Sequence, residues 1–256
     1  MSSLQIVQVP VLRDNYLYLI HEPTSGATAA IDPAVAPEVH QTLSARGWKL
    51  THILNTHHHL DHVGANLALK EATGCTIVGP AADRDRIPGI DIALSDGDRY
   101  AFGAAEGVVF DVPGHTRGHI AWWFADSEAL FCGDTVFSIG CGRLFEGTPA
   151  QMWNSISRLR QLPDATRIYC AHEYTASNVR FALSVEPNHP ALLARAAEVT
   201  ALRAADRPTV PSTIGAERAA NPFFRADDPV LQQAVGMLGA EPAAVFGEVR
   251  GRKDRF

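Results

Sequence analysis

The chain has 256 residues, a 46% hydrophobic content, 20% charged residues and a formal net charge of −6. That length suits one large domain, or a domain of ~150–180 residues with a smaller companion, and the apolar fraction excludes a disordered chain. The acidic balance argues against a nucleic-acid binder, which normally carries excess Lys and Arg, but leaves room for a local basic patch that takes a small anion.

Short apolar runs punctuated by Gly, Pro and Asp dominate up to about residue 172. Leu4–Val9, Tyr16–Ile20 and Ala27–Ile31 read as strands. Arg13 and Asp14 interrupt the first apolar stretch, and the N-terminus lacks the basic-then-apolar pattern of a secretory leader. A cytoplasmic protein is therefore expected. A helix is expected near Pro37–Arg46, a strand at Ile53–Asn55, a helix near Ala65–Ala72, and strands at Thr76–Val78, Val108–Val112, Ile120–Phe124 and Ala129–Cys132. A helix near Pro149–Gln161 opens on Thr148-Pro149, with Thr at the N-cap and Pro at the first helical position. A strand at Ile168–Cys170 closes this part. Strands mixed with a few helices suggest an α/β layered domain. After His172 the pattern changes to Ala- and Leu-rich helices broken by Pro: Ser177–Val185, Pro190–Ala205, Gly215–Ala220, Asp228–Met237 and Glu241–Arg250. The boundary is placed at 172–175, giving a catalytic domain 1–172 and a helical domain 173–256. No run reaches the ~18–20 apolar residues of a membrane-spanning helix, so no membrane association is expected. Cys75, Cys132, Cys141 and Cys170 form no CxxC pair and are expected to be reduced thiols.

The chemistry concentrates in Thr56-His57-His58-His59-Leu60-Asp61-His62, between a strand and a helix, where α/β sheets present ligands. In an extended segment His57 and His59 point the same way and His58 points away. Imidazole and carboxylate without thiolate suit zinc, iron or manganese. Three more strand ends carry ligand-type side chains: His115 after Pro113-Gly114, Asp134 after Cys132-Gly133, and His172 after Cys170-Ala171. His57, His59, Asp61, His62, His115, Asp134 and His172 exceed the three or four ligands of one catalytic zinc. They suit two metals sharing one carboxylate, with Asp134 as the bridge. A bridged solvent has its pKa lowered from ~15.7 to ~7, so such a site should hydrolyse an ester, thioester, amide or phosphodiester.

The THHHLDH run with its later GH, GD and AHE ligands resembles the metallo-β-lactamase superfamily. Gly140-Cys141-Gly142-Arg143-Leu144-Phe145-Glu146-Gly147-Thr148, Ala171-His172-Glu173-Tyr174-Thr175, Asn221-Pro222-Phe223-Phe224-Arg225 and the ending Arg250-Gly251-Arg252-Lys253-Asp254-Arg255-Phe256 resemble, more narrowly, the glyoxalase II or hydroxyacylglutathione hydrolase family. The resemblance implies a four-layer αββα sandwich with a C-terminal helical domain, and hydrolysis of S-D-lactoylglutathione to D-lactate and glutathione. It implies that His57, His59 and His115 hold one divalent ion, that Asp61, His62 and His172 hold the second, and that Asp134 bridges, with Zn2+ the first expectation and Fe or Mn alternatives. It further implies that Asp61 and Asp134 orient the attacking solvent. Arg143, Tyr174, Arg250 and Lys253 would contact glutathione, whose two carboxylates suit Arg and Lys. Some family members carry Tyr where this chain has Phe145, and Lys where it has Arg143; without the hydroxyl one hydrogen bond worth ~0.5–1.5 kcal/mol is missing. The alternative within the superfamily is a mononuclear-iron glutathione persulfide dioxygenase. A small-molecule glutathione thioester is the expected partner, with no nucleic acid, and a monomer is the expected state.

Overall fold

The computed structural model describes residues 3–256, which form two compact units. One unit runs through Asp111 and resumes over Arg117–Gly133; the other takes Val112–Thr116 and Asp134–Phe256.

The first unit is built on β1 (Gln5–Val11), β2 (Asn15–Glu22), β3 (Ala27–Ile31), α1 (Ala36–Arg46), β4 (His52–Leu54), α2 (Leu60–Val63), α3 (Asn66–Thr73), β5 (Thr76–Pro80) and β6 (Ile92–Leu94). β1, β2 and β3 pair antiparallel, and β3, β4, β5 and β6 continue the same sheet in parallel. Parallel neighbours need a crossover; α1 supplies it between β3 and β4, and α2 with α3 between β4 and β5. The helices pay attention to one face: Val39 and Leu43 of α1 and Leu69 of α3 pack with Leu17, Leu19, Ala30, Ile53 and Ile77 in one apolar cluster. A second sheet follows from β7 (Arg99–Phe102), β8 (Ala105–Asp111), β9 (Ile120–Phe124) and β10 (Ala129–Gly133), all antiparallel. Its inner face is aromatic. Phe131 packs 5.6 Å from Tyr18 of the first sheet and 6.1 Å from Phe124, so aromatic side chains join the two sheets. β6 and β7 carry no clear sequence signal, because they are only three and four residues long and mostly exposed or half-buried.

The second unit contains β11 (Val136–Phe137), β12 (Gly140–Cys141), α4 (Pro149–Leu159), β13 (Arg167–Cys170), α5 (Thr175–Val185), α6 (Pro190–Ala204), β14 (Ser212–Thr213), α7 (Ile214–Ala220), α8 (Pro229–Ala234) and α9 (Pro242–Arg255). Thr148 and Gln151 form a reciprocal capping box at the start of α4, which satisfies two orphan backbone donors. The buried residues Met152, Ile156 and Leu159 give α4 one apolar stripe. α9 packs on that helix, with Trp153 and Phe246 rings 6.3 Å apart. Another cluster joins Val179 and Ala182 of α5 to Leu192 and Val199 of α6. Two helices depart from expectation. α8 stops at Ala234 because Gly236 turns the chain at φ 77°. α9 continues past Arg250 to Arg255, since nothing in Gly251-Arg252-Lys253-Asp254 breaks it. Among the described residues no helix is long and apolar enough to cross a membrane.

Candidate metal centre

In the first unit the histidine run leaves β4 at its C-terminal end and enters α2. The ring centroids of His57 lie 4.7 Å from His59 and 4.0 Å from His62. Asp61 Oδ2 sits 3.6 Å from His62 Nε2 and accepts from Asn15 Nδ2 at 2.9 Å. One carboxylate absent from the sequence expectation organises this group. Asp32, just beyond β3, accepts from the Thr56 amide at 2.7 Å, from Thr56 Oγ1 at 2.6 Å and from His62 Nδ1 at 3.0 Å. Thr56 Oγ1, having given its proton to Asp32, accepts in turn from His57 Nδ1 at 3.1 Å. Asp32 forms a close donor group with His57 and His62, but its oxygens are committed to these three donors. It orients imidazoles instead of offering itself as a ligand. The signal was present in the sequence: an apolar strand ending in Asp, the same pattern that marks Asp134.

His58 points elsewhere. Its Nδ1 donates to Asp83 at 2.9 Å and its Nε2 accepts from Arg86 at 3.2 Å. His119 is a second residue the sequence reading missed. It is buried, stacks on His57 at 4.4 Å, and donates from Nδ1 to the Ile120 carbonyl. Gly133, at φ 48°, makes room for this packing: a Cβ there would lie 2.4 Å from Thr56 Oγ1 and 2.9 Å from the His119 ring.

In the second unit His115, Asp134 and His172 come together from three segments. Asp134 turns one oxygen to each histidine: Oδ2 lies 3.4 Å from His115 Nε2 and Oδ1 lies 3.5 Å from His172 Nε2. His115 donates from Nδ1 to the Arg143 carbonyl at 2.8 Å. A Cβ on Gly142 would fall 1.9 Å from the Asp134 carbonyl oxygen, so only glycine lets the chain pass this close. His172 stacks face to face on Tyr174 at 4.7 Å, and Phe137 packs edge-on against both rings.

The donor set fits divalent metal. His57, His62 and His115 each hold Nδ1–H against an oxygen of the protein, which fixes the tautomer and leaves the Nε2 lone pair for a cation. The 3.4–3.6 Å donor separations around Asp134 and Asp61 match the ~3.4 Å edge of a tetrahedron with ~2.1 Å metal–ligand bonds. The thiols do not compete: all four Cys are free and buried, and burial pushes Cys141 up to about 11 and Cys170 up to about 12, so neither offers thiolate.

The residues expected to meet substrate all lie in the second unit. Arg143 is largely exposed and its Nε lies 3.3 Å from Asp254 Oδ1. Arg250 is buried; it donates from Nη1 to the Cys141 carbonyl and from Nη2 to Asp254, both at 3.0 Å. Lys253 lies over the rings of Phe181 and Phe256, and its ammonium donates to the Ser177 carbonyl at 3.4 Å. Burial, with help from the neighbouring Arg250 and Arg180, pushes that ammonium down to about 8. Phe145 is exposed and packs edge-on to His115 at 5.2 Å.

The mixed sheets and the His and Asp donor groups at their strand ends agree with the metallo-β-lactamase superfamily, whose profile matches residues 13–172. The profile of the hydroxyacylglutathione hydrolase C-terminus matches residues 173–256. The chain belongs to the hydroxyacylglutathione hydrolase family. It is 58% identical to the hydroxyacylglutathione hydrolase of Methylococcus capsulatus over 99% of both chains, and 56% identical to that of Rhodospirillum rubrum over the full length of both. Among solved structures, ETHE1 from Myxococcus xanthus superposes with a TM-score of 0.70 at 24% identity over 96% of this chain and 90% of that one; that likeness is one of fold. TTHA1623 in a di-iron-bound form gives a TM-score of 0.60 at 25% identity, covering 86% of this chain and 99% of that one.

Proposed function

We propose that this protein hydrolyses S-D-lactoylglutathione and related 2-hydroxyacyl glutathione thioesters to the 2-hydroxy acid and glutathione, the second step of methylglyoxal detoxification. The observation that carries the reading is Asp134, whose two carboxylate oxygens face two different histidines. Full-length relatives above 50% identity named as this hydrolase favour hydrolysis over the persulfide dioxygenase alternative. In this reading His57, His59 and His115 hold one divalent ion, Asp61, His62 and His172 hold the second, and Asp134 is common to both. Two ions are supported by the number of donors and by the di-iron form of TTHA1623; Zn2+ suits the imidazole and carboxylate set, with Fe or Mn as substitutes.

When bound, the ions supply a lowered pKa for solvent and a polarised thioester carbonyl. The chain supplies the rest. Asp61 and Asp134 accept hydrogen bonds from the attacking solvent and aim it at the carbonyl carbon. Asp32, through Thr56 and His62, keeps the imidazoles in register. Arg143, Tyr174, Arg250 and Lys253 bind the glutathione portion, so that the acyl group is delivered in one orientation. The leaving thiolate needs no general acid. Residues 1–172 act as the catalytic domain and 173–256 as the substrate domain, a division supported by the two matched profiles. The protein works as a cytoplasmic monomer on a small molecule; its acidic balance argues against nucleic acid as the partner.

The test pairs metal analysis with thioester turnover on one preparation. Two equivalents of metal and chelator-sensitive release of glutathione are expected. One iron with oxygen consumption would establish the dioxygenase instead.

A further inference from the structure

We infer that Asp254 is a positioning residue for substrate recognition, holding Arg143 and Arg250 in a fixed relation before the glutathione portion arrives. The inference rests on the assignment of these cations to the substrate. One carboxylate oxygen of Asp254 takes Arg250 Nη2 at 3.0 Å and Arg143 Nε at 3.3 Å. Both Nη groups of Arg250 are then held, because Nη1 donates to the Cys141 carbonyl, and the guanidinium lies over Phe223 at 5.4 Å, with the buried Nε left without a hydrogen-bond partner. Arg143 is tied through Nε alone and its side chain is 57% exposed. Its two Nη groups are the part of the guanidinium fork left to grip a carboxylate of the ligand.

Within the helix Asp254 makes only an i,i+4 pair with Arg250, a small stabilising interaction. It lies in the last turn of α9, beside Arg252, Lys253 and Arg255, where the helix dipole favours cations and disfavours an acid. An ion pair with one partner 57% and the other 34% exposed adds little to stability. A carboxylate placed against the dipole, for so small a stabilising return, is accounted for by what it does to the two arginines. It anchors the exposed one to the buried one, and thereby to the backbone of β12. A long, flexible Arg side chain so restrained loses less conformational freedom when it binds.

The test compares Asp254→Asn with Glu248→Gln. Glu248 makes the other i,i+4 pair on this helix, with Arg252 at 2.8 Å, and touches none of the proposed substrate cations. Calorimetric affinity for free glutathione, KM and kcat for a glutathione thioester, and Tm are measured for both. Asp254→Asn is expected to weaken glutathione binding and raise KM about fivefold with kcat within about twofold. Glu248→Gln should move none of these, and both proteins should melt within a few degrees of the parent. In a double-mutant cycle the losses from Asp254→Asn and Arg143→Ala should not add. Unchanged or tighter glutathione binding by Asp254→Asn, or additive losses, overturns the inference. The affinity measurement separates the two claims: a parent protein that binds glutathione without hydrolysing the thioester refutes the proposed reaction, while Asp254 is still decided by the two dissociation constants. A parent that binds no glutathione refutes both.

Discussion

Asp32 acts on the donor set through other side chains, and its loss should be felt at the metal. Replacing it with Ala frees Thr56 Oγ1 and His62 Nδ1 from their acceptor. Loss of such a supporting hydrogen bond typically costs 10–100-fold in metal affinity. Competition with a chromogenic chelator should show a shift of about that size for Asp32→Ala, and a variant holding metal as tightly as the parent would refute the role. Asp134→Ala removes a donor from both proposed sets, so metal analysis should find the two-metal content abolished. Lys253 makes a prediction in pH. Its ammonium, held down to about 8 mainly by burial, is charged below that value and neutral above it. A substrate carboxylate needs the charge. KM for the thioester should therefore be flat on the acidic side and climb as pH rises through about 8, while Lys253→Met should show a high KM without that climb. The ligand residues were legible because imidazoles and carboxylates at strand ends are chemically loud. Asp32 was not, since a lone Asp before Pro33 also reads as an ordinary turn.

At the scale of elements, proline was the clearest guide. Pro149, Pro190, Pro229 and Pro242 each open a helix at its first turn, where the missing N–H costs nothing. The two-residue strands β11, β12 and β14 left no trace in the sequence pattern, because two residues define no alternation and their pairing is set by partners elsewhere in the chain. What replaces local signal there is polar packing. Glu217, fully buried, accepts from the Ile139 amide at 2.7 Å and Ser138 Oγ at 3.0 Å, and Asn221 donates to the Gly140 carbonyl at 3.0 Å. These bonds shape the β11–β12 turn from α7 and its end. A second such tie fixes the helices to one another. Glu186, at the end of α5, takes both Nη groups of Arg225, which also reaches the N-cap Asp228 of α8. Both members of the pair are buried, and breaking a buried pair by removing one side strands the other charge. Glu186→Ala should lower stability by about 3 kcal/mol, read from urea unfolding, with kcat unchanged in the fraction that remains folded.

For the molecule as a whole, the proposed ligands are far apart in the chain, from His57 to His172. An unfolded chain cannot gather them, so metal binds the native state and stabilises it by mass action. At free metal about a thousandfold above Kd the gain is ~4 kcal/mol for each ion, which for two ions and a chain of this size corresponds to a Tm shift of about 20 °C. Exhaustive chelation should therefore do two things at once. Thioester turnover should vanish, and the melting transition should fall by about that margin while far-ultraviolet circular dichroism at 25 °C is retained, because the apolar clusters of both units contain no ligand residue. Titrating Zn2+ back should restore turnover and Tm along the same curve, saturating at two equivalents. A saturation point of one equivalent would remove the shared role of Asp134, and turnover that survives chelation would remove the metal from the chemistry altogether.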